Sequence, residues 1–297
     1  MTKHYSHSEK PPVGVLGLGL VGSALATRLL AAGYPLFGYD PAPGAIQQFR
    51  KLGGCPESSE LAVARQCKRL VLSLPGSAEV DEVVARVMET LGPGCVVIDT
   101  TTGDPENVER TAREIQAQGA EYLDATLGGS SRQIAAGDAI VIYGATESGS
   151  AASHDLLDTF GSPVFHTGLP GSGTRMKLVL NLVLGLQRAV LAEGLEFARS
   201  SGIDPQRALE ILKAGPAYAT VMDTKGQKML TGDFAPEARL AQHWKDVRLM
   251  LASAEGNGAR LPLTQVHDEL LQSAYDLGWG SEDNSAIIKV FQSREKS

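Results

Sequence analysis

The 297-residue chain has the composition of an ordinary globular protein, with 43% hydrophobic and 21% charged residues. This balance excludes disordered and fibrous proteins, and the length allows two domains. Acidic residues outnumber basic ones by 34 to 27, for a formal net charge of -7, so nucleic acid is not an expected partner. The three cysteines are widely spaced and form no Cys-x-x-Cys motif. Neither a disulfide framework nor a zinc site is therefore expected, and a reducing cytoplasm fits best.

The start of the chain and its most apolar stretch both predict a soluble, cytoplasmic protein without membrane contact. Residues 1–10 are polar and lack the apolar segment of a signal peptide. Residues 178–186 are the most apolar later stretch, but Asn181 interrupts them and the run is too short to cross a bilayer.

Short apolar runs alternate with helical patterns along the first 170 residues. The runs predict strands at residues 13–16, 35–39, 70–74, 95–98, 122–123 and 139–143. Helical periodicity predicts helices at residues 23–32, 78–90 and 108–118. Such alternation is typical of βαβ units, whose right-handed crossovers form a parallel sheet covered on both faces. The predicted fold class is α/β, with a Rossmann-like doubly wound sheet over residues 1–170.

The sequence pattern changes after a cluster of glycines near residue 170. Gly168, Pro170, Gly171 and Gly173 predict a linker, and no strand-like segment follows it. Helices are predicted at residues 176–200, 205–214, 236–254 and 264–276, the first of them roughly 37 Å long. Residues 171–297 are therefore predicted to form an all-helical domain.

A glycine-rich turn follows the first predicted strand and opens the first predicted helix. Residues 17–22 fit the pattern Gly-x-Gly-x-x-Gly. In a dinucleotide-binding turn, the first glycine makes the bend, the second lets the backbone approach a pyrophosphate, and the third lets helix pack on strand. The helix N-terminus favours the phosphate charge. The expected cofactor-binding residues here are Gly17, Gly19, Leu20, Val21 and Gly22.

Other residues at the predicted strand ends extend this candidate cofactor site. Asp40 ends the second strand, where the fold places an acid against the ribose hydroxyls; its alternative role is that of a turn residue. An acid there repels a 2′-phosphate, so NAD is favoured, with NADP possible. Leu74, Pro75 and Thr102 follow two further strands and are expected to border the cofactor, or else to terminate a strand and cap a helix.

Lys177 and Asn181 lie four residues apart, on one face of the predicted long helix. A partly desolvated lysine can exchange a proton with a hydroxyl near neutral pH, and an asparagine can both donate to and accept from a substrate. Taken alone, a helical lysine is far more often a solvated surface charge.

In chain order, the motifs resemble those of the β-hydroxyacid dehydrogenases, a family related to 6-phosphogluconate dehydrogenase. The resemblance covers nearly the whole chain and includes a closing motif at residues 278–286. The motifs that carry it are residues 17–33 with Asp40, residues 73–75, residues 99–102 with Pro105, Asp124 with Ala125, residues 171–173 with Lys177 and Asn181, and Lys245 with Asp246.

The resemblance implies a Rossmann-like domain and a helical domain, with catalysis in the cleft between them. It implies Lys177 as the catalytic lysine and Asn181 as a substrate ligand. Lys245 would reach the cofactor or the substrate from the second domain. It also implies a homodimer or homotetramer, as does the broad apolar surface of the long helix.

One motif departs from the family pattern, at the loop that holds the substrate's acid group in the family. Gly128 stands where many members have a substrate-binding serine, and the loop continues as Gly129, Ser130 and Ser131. These four residues are the candidate substrate loop. Arg132 follows, either as a compensating ligand for the acid or as a surface charge.

The sequence therefore predicts an oxidoreductase that transfers a hydride between NAD and a small β-hydroxy acid, similar to 3-hydroxyisobutyrate, or its semialdehyde. Lys177 would relay the hydroxyl proton, and no metal is expected because the histidines form no metal-binding motif. Reduction of sulfolactaldehyde or tartronate semialdehyde stays open as the specific reaction. An imine reductase and a non-catalytic NAD-binding scaffold are the alternative interpretations, and the retained Lys177 counts against both.

Overall fold

The computed structural model describes residues 10–293, so nearly all of the predicted polar start lies outside the described residues. Its contacts divide the chain into two compact units, Met1–Lys177 and Leu178–Ser297. The predicted division after residue 170 precedes a helix, Ser172–Ser200, that contributes residues to both units.

An eight-stranded sheet forms the centre of the first unit, with strand order β3-β2-β1-β4-β5-β6-β7-β8. The strands are β1 Val13–Leu16, β2 Leu36–Tyr39, β3 Cys55–Pro56, β4 Arg69–Leu72, β5 Val96–Asp99, β6 Glu121–Gly128, β7 Ile140–Gly144 and β8 Val164–Gly168. The order reverses between β1 and β4, which is the doubly wound arrangement predicted for an α/β fold.

The sheet is parallel except for β6 and β7, which pair in antiparallel fashion from Asp124–Gly144 to Gly128–Ile140. The parallel sheet predicted from the βαβ alternation is thus confirmed for all neighbouring strands except this pair. Only residues 129–139 join the two strands, and a parallel crossover needs a dozen residues or more. So short a connection returns the chain in the opposite direction.

Seven complete α-helices accompany the sheet among the residues described in this unit. They are α1 Leu20–Ala31, α2 Pro43–Leu52, α3 Glu60–Gln66, α4 Ser77–Val87, α5 Pro105–Ala117, α6 Ser131–Ala136 and α7 Glu147–Phe160. The apolar pattern did not predict α2, whose start is rich in proline. Pro43 occupies its first turn, where a missing N–H is tolerated.

Successive strand residues point to opposite faces, and each face carries its own core. Val13 and Val15 of β1 pack with helices α1, α6 and α7, whereas Leu16 packs with helices α3, α4 and α5. Alternate residues of β4 and β5 divide between the two cores in the same way. The sheet is therefore covered by helices on both faces, as predicted.

The second unit is helical, as predicted. Its helices are α8 Ser172–Ser200, which it shares with the first unit, α9 Pro205–Ala214, α10 Val221–Thr231, α11 Leu240–Asn257, α12 Pro262–Ala274 and α13 Ile288–Gln292. Their core contains Leu191, Leu195, Val247 and Leu271, all at most 2% exposed. Helix α10 was not predicted, since Gly226 and several polar residues weaken its apolar pattern.

Helix α8 is, among the residues described, the one helix long and apolar enough to cross a membrane, with a mean hydropathy of 1.5 over its most apolar window. The prediction that residues 178–186 are too short considered only part of this 29-residue helix. A single helix of this kind is a weak indication of a membrane span, because long core helices have the same composition. In α8, 39% of that window is buried.

Candidate active site

The glycine turn between β1 and α1 depends on two glycines for steric reasons. Gly17 has a φ of +92°, and a Cβ there would lie 2.2 Å from the Ser73 carbonyl oxygen at the end of β4. A Cβ on Gly22 would lie 2.0 Å from the Gly17 carbonyl oxygen. The first glycine thus brings the turn against β4, and the third lets α1 pack on the turn.

Gly19, the second glycine, faces open space, since a Cβ there would meet no atom within 4 Å. It precedes the first residue of α1, Leu20, which is 62% exposed, and no side chain caps this helix. The bare backbone and the helix N-terminus therefore leave room and N–H donors for a pyrophosphate. Together with the half-buried Val21, these residues fit a dinucleotide cofactor.

Asp40 lies directly after β2 and is bound to this turn. Its Oδ2 accepts a hydrogen bond from the Leu18 N–H at 2.7 Å, and its Oδ1 accepts one from the Ala42 N–H at 2.8 Å. The carboxylate is thus held beside the glycine turn, and its remaining lone pairs can accept from ribose hydroxyls. The structure shows Asp40 bonded within the turn, as its alternative role predicts, and its position beside the glycine turn is compatible with the expected contact to a ribose.

The ends of β4 and β5 lie together at the same edge of the sheet. The Leu74 N–H donates to Thr101 Oγ1 at 3.1 Å, and the Thr101 N–H donates to Asp99 Oδ1 at 2.9 Å. Pro75 is exposed and Thr102 is half-buried at these strand ends. The helix cap predicted as an alternative role for the threonines belongs instead to Asp104, which caps α5.

Asp124 of β6 anchors the beginning of α8. Its buried carboxylate accepts the Gly171 N–H at 2.8 Å and the Thr174 N–H at 2.5 Å. Gly173 allows close packing, because a Cβ there would lie 2.8 Å from the Asp124 carbonyl oxygen. Burial raises the pKa of Asp124 to about 6, although both N–H groups favour the ionised form.

This raised pKa predicts a pH-dependent stability. The folded protein holds the Asp124 proton more tightly than the unfolded chain, so this stabilisation is complete below the ordinary pKa of 3.8 and is lost as pH rises through about 6. Between pH 4 and pH 7, the free energy of unfolding of the wild type, measured in urea, should fall by up to roughly 3 kcal/mol relative to that of Asp124→Asn, which cannot titrate. If the free energy of unfolding had the same pH dependence in both proteins, this expectation would be contradicted.

Lys177 lies in the second turn of α8, and its Nζ donates to the Leu127 carbonyl oxygen at 2.6 Å. Leu127 is the penultimate residue of β6, and the side chain of Lys177 is half-buried. Asp124 therefore fixes the start of the helix while Leu127, on the same strand, holds the amine. The amine lies beside Gly128, the first residue of the predicted substrate loop.

The segment predicted as a substrate loop is partly helical. Gly128 ends β6, Gly129 is exposed, and Ser130 caps α6, which begins at Ser131. Ser130 and Gln133 form a capping box, with the Ser130 N–H donating to Gln133 Oε1 at 2.9 Å. The serine followed three residues later by glutamine is the signal that could have revealed this helix. The hydroxyl of Ser130 is thus engaged within the cap.

Asn181 and Lys245 meet a third residue in the second unit. Asn181 Nδ2 donates to Asp246 Oδ2 at 3.0 Å, and Lys245 Nζ lies 3.5 Å from Asp246 Oδ1. Asp246 is 6% exposed and had no predicted role of its own, although it follows Lys245 in a quoted motif. Among residues 10–293, no group of three or more His, Cys, Asp or Glu side chains could hold a metal ion.

Two family models cover nearly the whole chain. One is described as the NAD binding domain of 6-phosphogluconate dehydrogenase and matches residues 12–168, which is more than half of the chain. The other is described as NAD-binding of NADP-dependent 3-hydroxyisobutyrate dehydrogenase and matches residues 171–291.

Individual proteins are similar over almost their full length. A 2-(hydroxymethyl)glutarate dehydrogenase from Eubacterium barkeri is 28% identical, over 94% of this chain and 94% of its own. The mitochondrial 3-hydroxyisobutyrate dehydrogenase of Rattus norvegicus is 28% identical, over 98% of this chain and 90% of its own. A crystal structure of 3-hydroxyisobutyrate dehydrogenase from Salmonella typhimurium superposes with a TM-score of 0.87 at 26% identity, covering 95% of this chain and 100% of that one. With both domain models matched in order, the chain belongs to the β-hydroxyacid dehydrogenase family, whose members are NAD(P)-dependent oxidoreductases acting on CH–OH groups.

Proposed function

We propose that the protein transfers a hydride reversibly between NAD and a small β-hydroxy acid, similar to 3-hydroxyisobutyrate, or its semialdehyde, with Lys177 as the proton relay. The observation that carries this proposal is the contact of Lys177 Nζ with the Leu127 carbonyl oxygen, 2.6 Å away at the end of β6. That contact holds the amine next to Gly128, where the family binds the acid group of its substrates.

The cofactor would lie against Gly17, Gly19, Leu20, Val21 and Gly22, with Asp40 on its ribose and with Leu74, Pro75 and Thr102 along its edge. When bound, its nicotinamide supplies or accepts the hydride. In the oxidation direction, the neutral Lys177 amine takes the hydroxyl proton as the C–O bond gains double-bond character, and in reduction the ammonium returns it. Its charge also stabilises oxygen that is becoming anionic.

The acid group would be held by Gly128, Gly129, Ser130 and Ser131 together with Asn181. Both the hydroxyl and the N–H of Ser130 bond Gln133 within the cap, so a carboxylate would be bound by the backbone N–H groups of Gly129 and Ser131. Asp246 accepts one proton of the Asn181 amide, so the amide oxygen and the second proton can face a substrate. Lys245 would reach the cofactor or the substrate from α11.

The decisive experiment follows absorbance at 340 nm with NAD or NADH and a panel of substrates. The panel contains 3-hydroxyisobutyrate, its semialdehyde, tartronate semialdehyde, sulfolactaldehyde and a cyclic imine. Turnover of a hydroxy acid or a semialdehyde supports the proposal and identifies the acid group. Turnover of the imine alone would establish an imine reductase. Binding of NADH without any turnover would favour a scaffold.

Because of Asp40, we expect the protein to prefer NAD to NADP. A carboxylate beside the ribose binds the 2′-hydroxyl and repels a 2′-phosphate. Asp40→Ser combined with Pro41→Arg should shift the ratio of kcat/KM values toward NADP by roughly 100-fold, because repulsion is replaced by an arginine–phosphate pair. Asp40→Asn is the matched control, since it keeps an acceptor for the Leu18 N–H but loses the charge. A wild type that uses NADPH as well as NADH would refute the assignment.

Helix α8 predicts self-association into a homodimer or homotetramer. Some apolar residues of α8, including Leu191 and Leu195, are buried in the protein's own core. Others form a stripe that stays 41% to 74% exposed, namely Met176, Val183, Val190 and Phe197 at seven-residue intervals, with Val179 beside them. Such a stripe is typical of a helix covered by a second chain. Light scattering at micromolar concentration should give at least twice the 31.3 kDa mass of one chain, and Val190→Lys with Phe197→Lys should lower it.

The cytoplasm is the proposed compartment. The thiols of Cys67 and Cys95 are buried and form no disulfide, which suits a reducing environment.

A further inference from the structure

Two histidines pack against a glycine of α8 inside the second unit. The Nε2 atoms of His243 and His267 are 3.0 Å apart, and these residues are 7% and 2% exposed. A Cβ on Gly185 would lie 2.5 Å from His243 Nε2 and 3.1 Å from His267 Nε2. The absence of a side chain at residue 185 therefore lets both rings approach the backbone of α8.

This contact is one helical turn from the contact between Asn181 and Asp246. On α8, Asn181 precedes Gly185 by four residues, and on α11, Asp246 follows His243 by three. The two helices thus pass in opposite directions, and the two contacts form successive layers about 5–6 Å apart. Because α8 and α11 carry both contacts, a change in their separation at the Gly185–His243 layer would also act on the Asn181–Asp246 layer.

We propose that Gly185, His243 and His267 form a positioning layer that sets the contact between α8 and α11 and so orients Asn181 toward substrate. This inference rests on the proposed function only in assigning Asn181 to the substrate. The three residues act through Asn181 and Asp246 and are not catalytic residues themselves.

The protonation of the two imidazoles allows one directional hydrogen bond between them. Burial and the nearby charge of Arg188 lower the pKa of His267 to about 4, so its ring is neutral at pH 7. A neutral imidazole has one donor and one acceptor nitrogen, so the short Nε2–Nε2 contact is one hydrogen bond that fixes the planes of both rings. Loss of either partner would leave a buried polar atom without its hydrogen bond. The rings therefore determine how α11 is rotated against α8.

The first test compares the same substitution at two glycines of α8. Gly185→Ala should raise the KM for the best hydroxy acid of the panel at least fivefold and change kcat less than twofold, because the new methyl group separates the helices. Gly194→Ala is the matched control, since a Cβ there meets no atom within 4 Å, and it should leave KM unchanged. A KM within twofold of wild type for Gly185→Ala would overturn the proposal.

The second test separates positioning from stability. His267→Phe fills the space without a hydrogen bond and should raise KM, whereas His267→Gln places a polar atom near the position of Nε2 and should restore most of the affinity. Equal KM values for the two variants, whatever their urea unfolding midpoints, would contradict a positioning role. The comparison of His267→Phe with His267→Gln also tests the positioning role if Gly185→Ala fails to fold.

Two readouts distinguish failure of this inference from failure of the proposed function. Asn181→Ala without any effect on KM would remove Asn181 from the substrate site. If Asn181→Ala raises KM and Gly185→Ala does not, only the inference fails. Independently of turnover, crystal structures should show the distance from Asn181 Nδ2 to Asp246 Oδ2 beyond 3.5 Å in Gly185→Ala and unchanged in Gly194→Ala. An unchanged distance in Gly185→Ala would overturn the inference.

Discussion

Replacing Lys177 by alanine should lower kcat by about 10²–10⁴, the range expected when a positioned acid or base is lost. The affinity for NADH, measured by fluorescence titration of the same purified protein, should stay within about twofold. In the proposed site, the glycine turn and Asp40 carry that binding, and neither depends on the amine. A kcat within threefold of wild type would remove Lys177 from the mechanism.

Two control variants make the Lys177 result specific. Lys177→Arg should not rescue the rate, because a guanidinium keeps its charge but does not release a proton near neutral pH. Lys213→Ala removes a lysine whose Nζ lies 2.6 Å from Asp223 Oδ1 at the surface, far along the chain from the candidate site. It should leave kcat unchanged and alter the free energy of unfolding by less than about 0.5 kcal/mol.

Alanine substitutions at two glycines of the turn should have different consequences. Gly19→Ala places its methyl group in open space, so the protein should fold normally but bind NADH at least tenfold more weakly, a loss of about 1.4 kcal/mol. Gly22→Ala places its methyl group 2.0 Å from the Gly17 carbonyl oxygen, so it should lower both the unfolding midpoint and the NADH affinity. Calorimetry with and without NADH measures both quantities. Equal stability of the two variants would contradict the roles assigned to these glycines.

The sequence predicted those parts of the fold whose signals are local. Strand β1 and helix α9 have the predicted bounds, because apolar periodicity and flanking breakers lie within a few residues of each other. The glycine turn was equally visible, since its requirements are steric and confined to residues 17–22. The family resemblance carried the rest of the candidate site, including Lys177.

Contacts between residues far apart in the sequence could not be predicted from local patterns. Asp124 receives the N–H groups of Gly171 and Thr174, 47 and 50 residues further along the chain. Asn181 meets Asp246 across 65 residues. No periodicity encodes which carboxylate a distant amide will reach. The reversed direction of β7 depends on the length of the segment that joins it to β6, and the apolar pattern of a strand contains no information on that length.

The antiparallel pairing of β6 with β7 makes the segment between them suitable for engineering. The segment from Gly129 to Ala139 leaves the sheet at Gly128 and re-enters it at Ile140, and these two residues are paired with each other. Its ends are therefore clamped by a hydrogen-bonded ladder, and its own helix is closed by a cap at Ser130 and a left-handed Gly137. A relative's counterpart can replace a unit fastened in this way without rebuilding the strands, provided that it keeps an apolar residue at the position of Ile134, which is 1% exposed in the core beside α1. Under the proposed function, such an exchange would transfer selectivity for the acid group, while the strand that holds Lys177 in place stays constant.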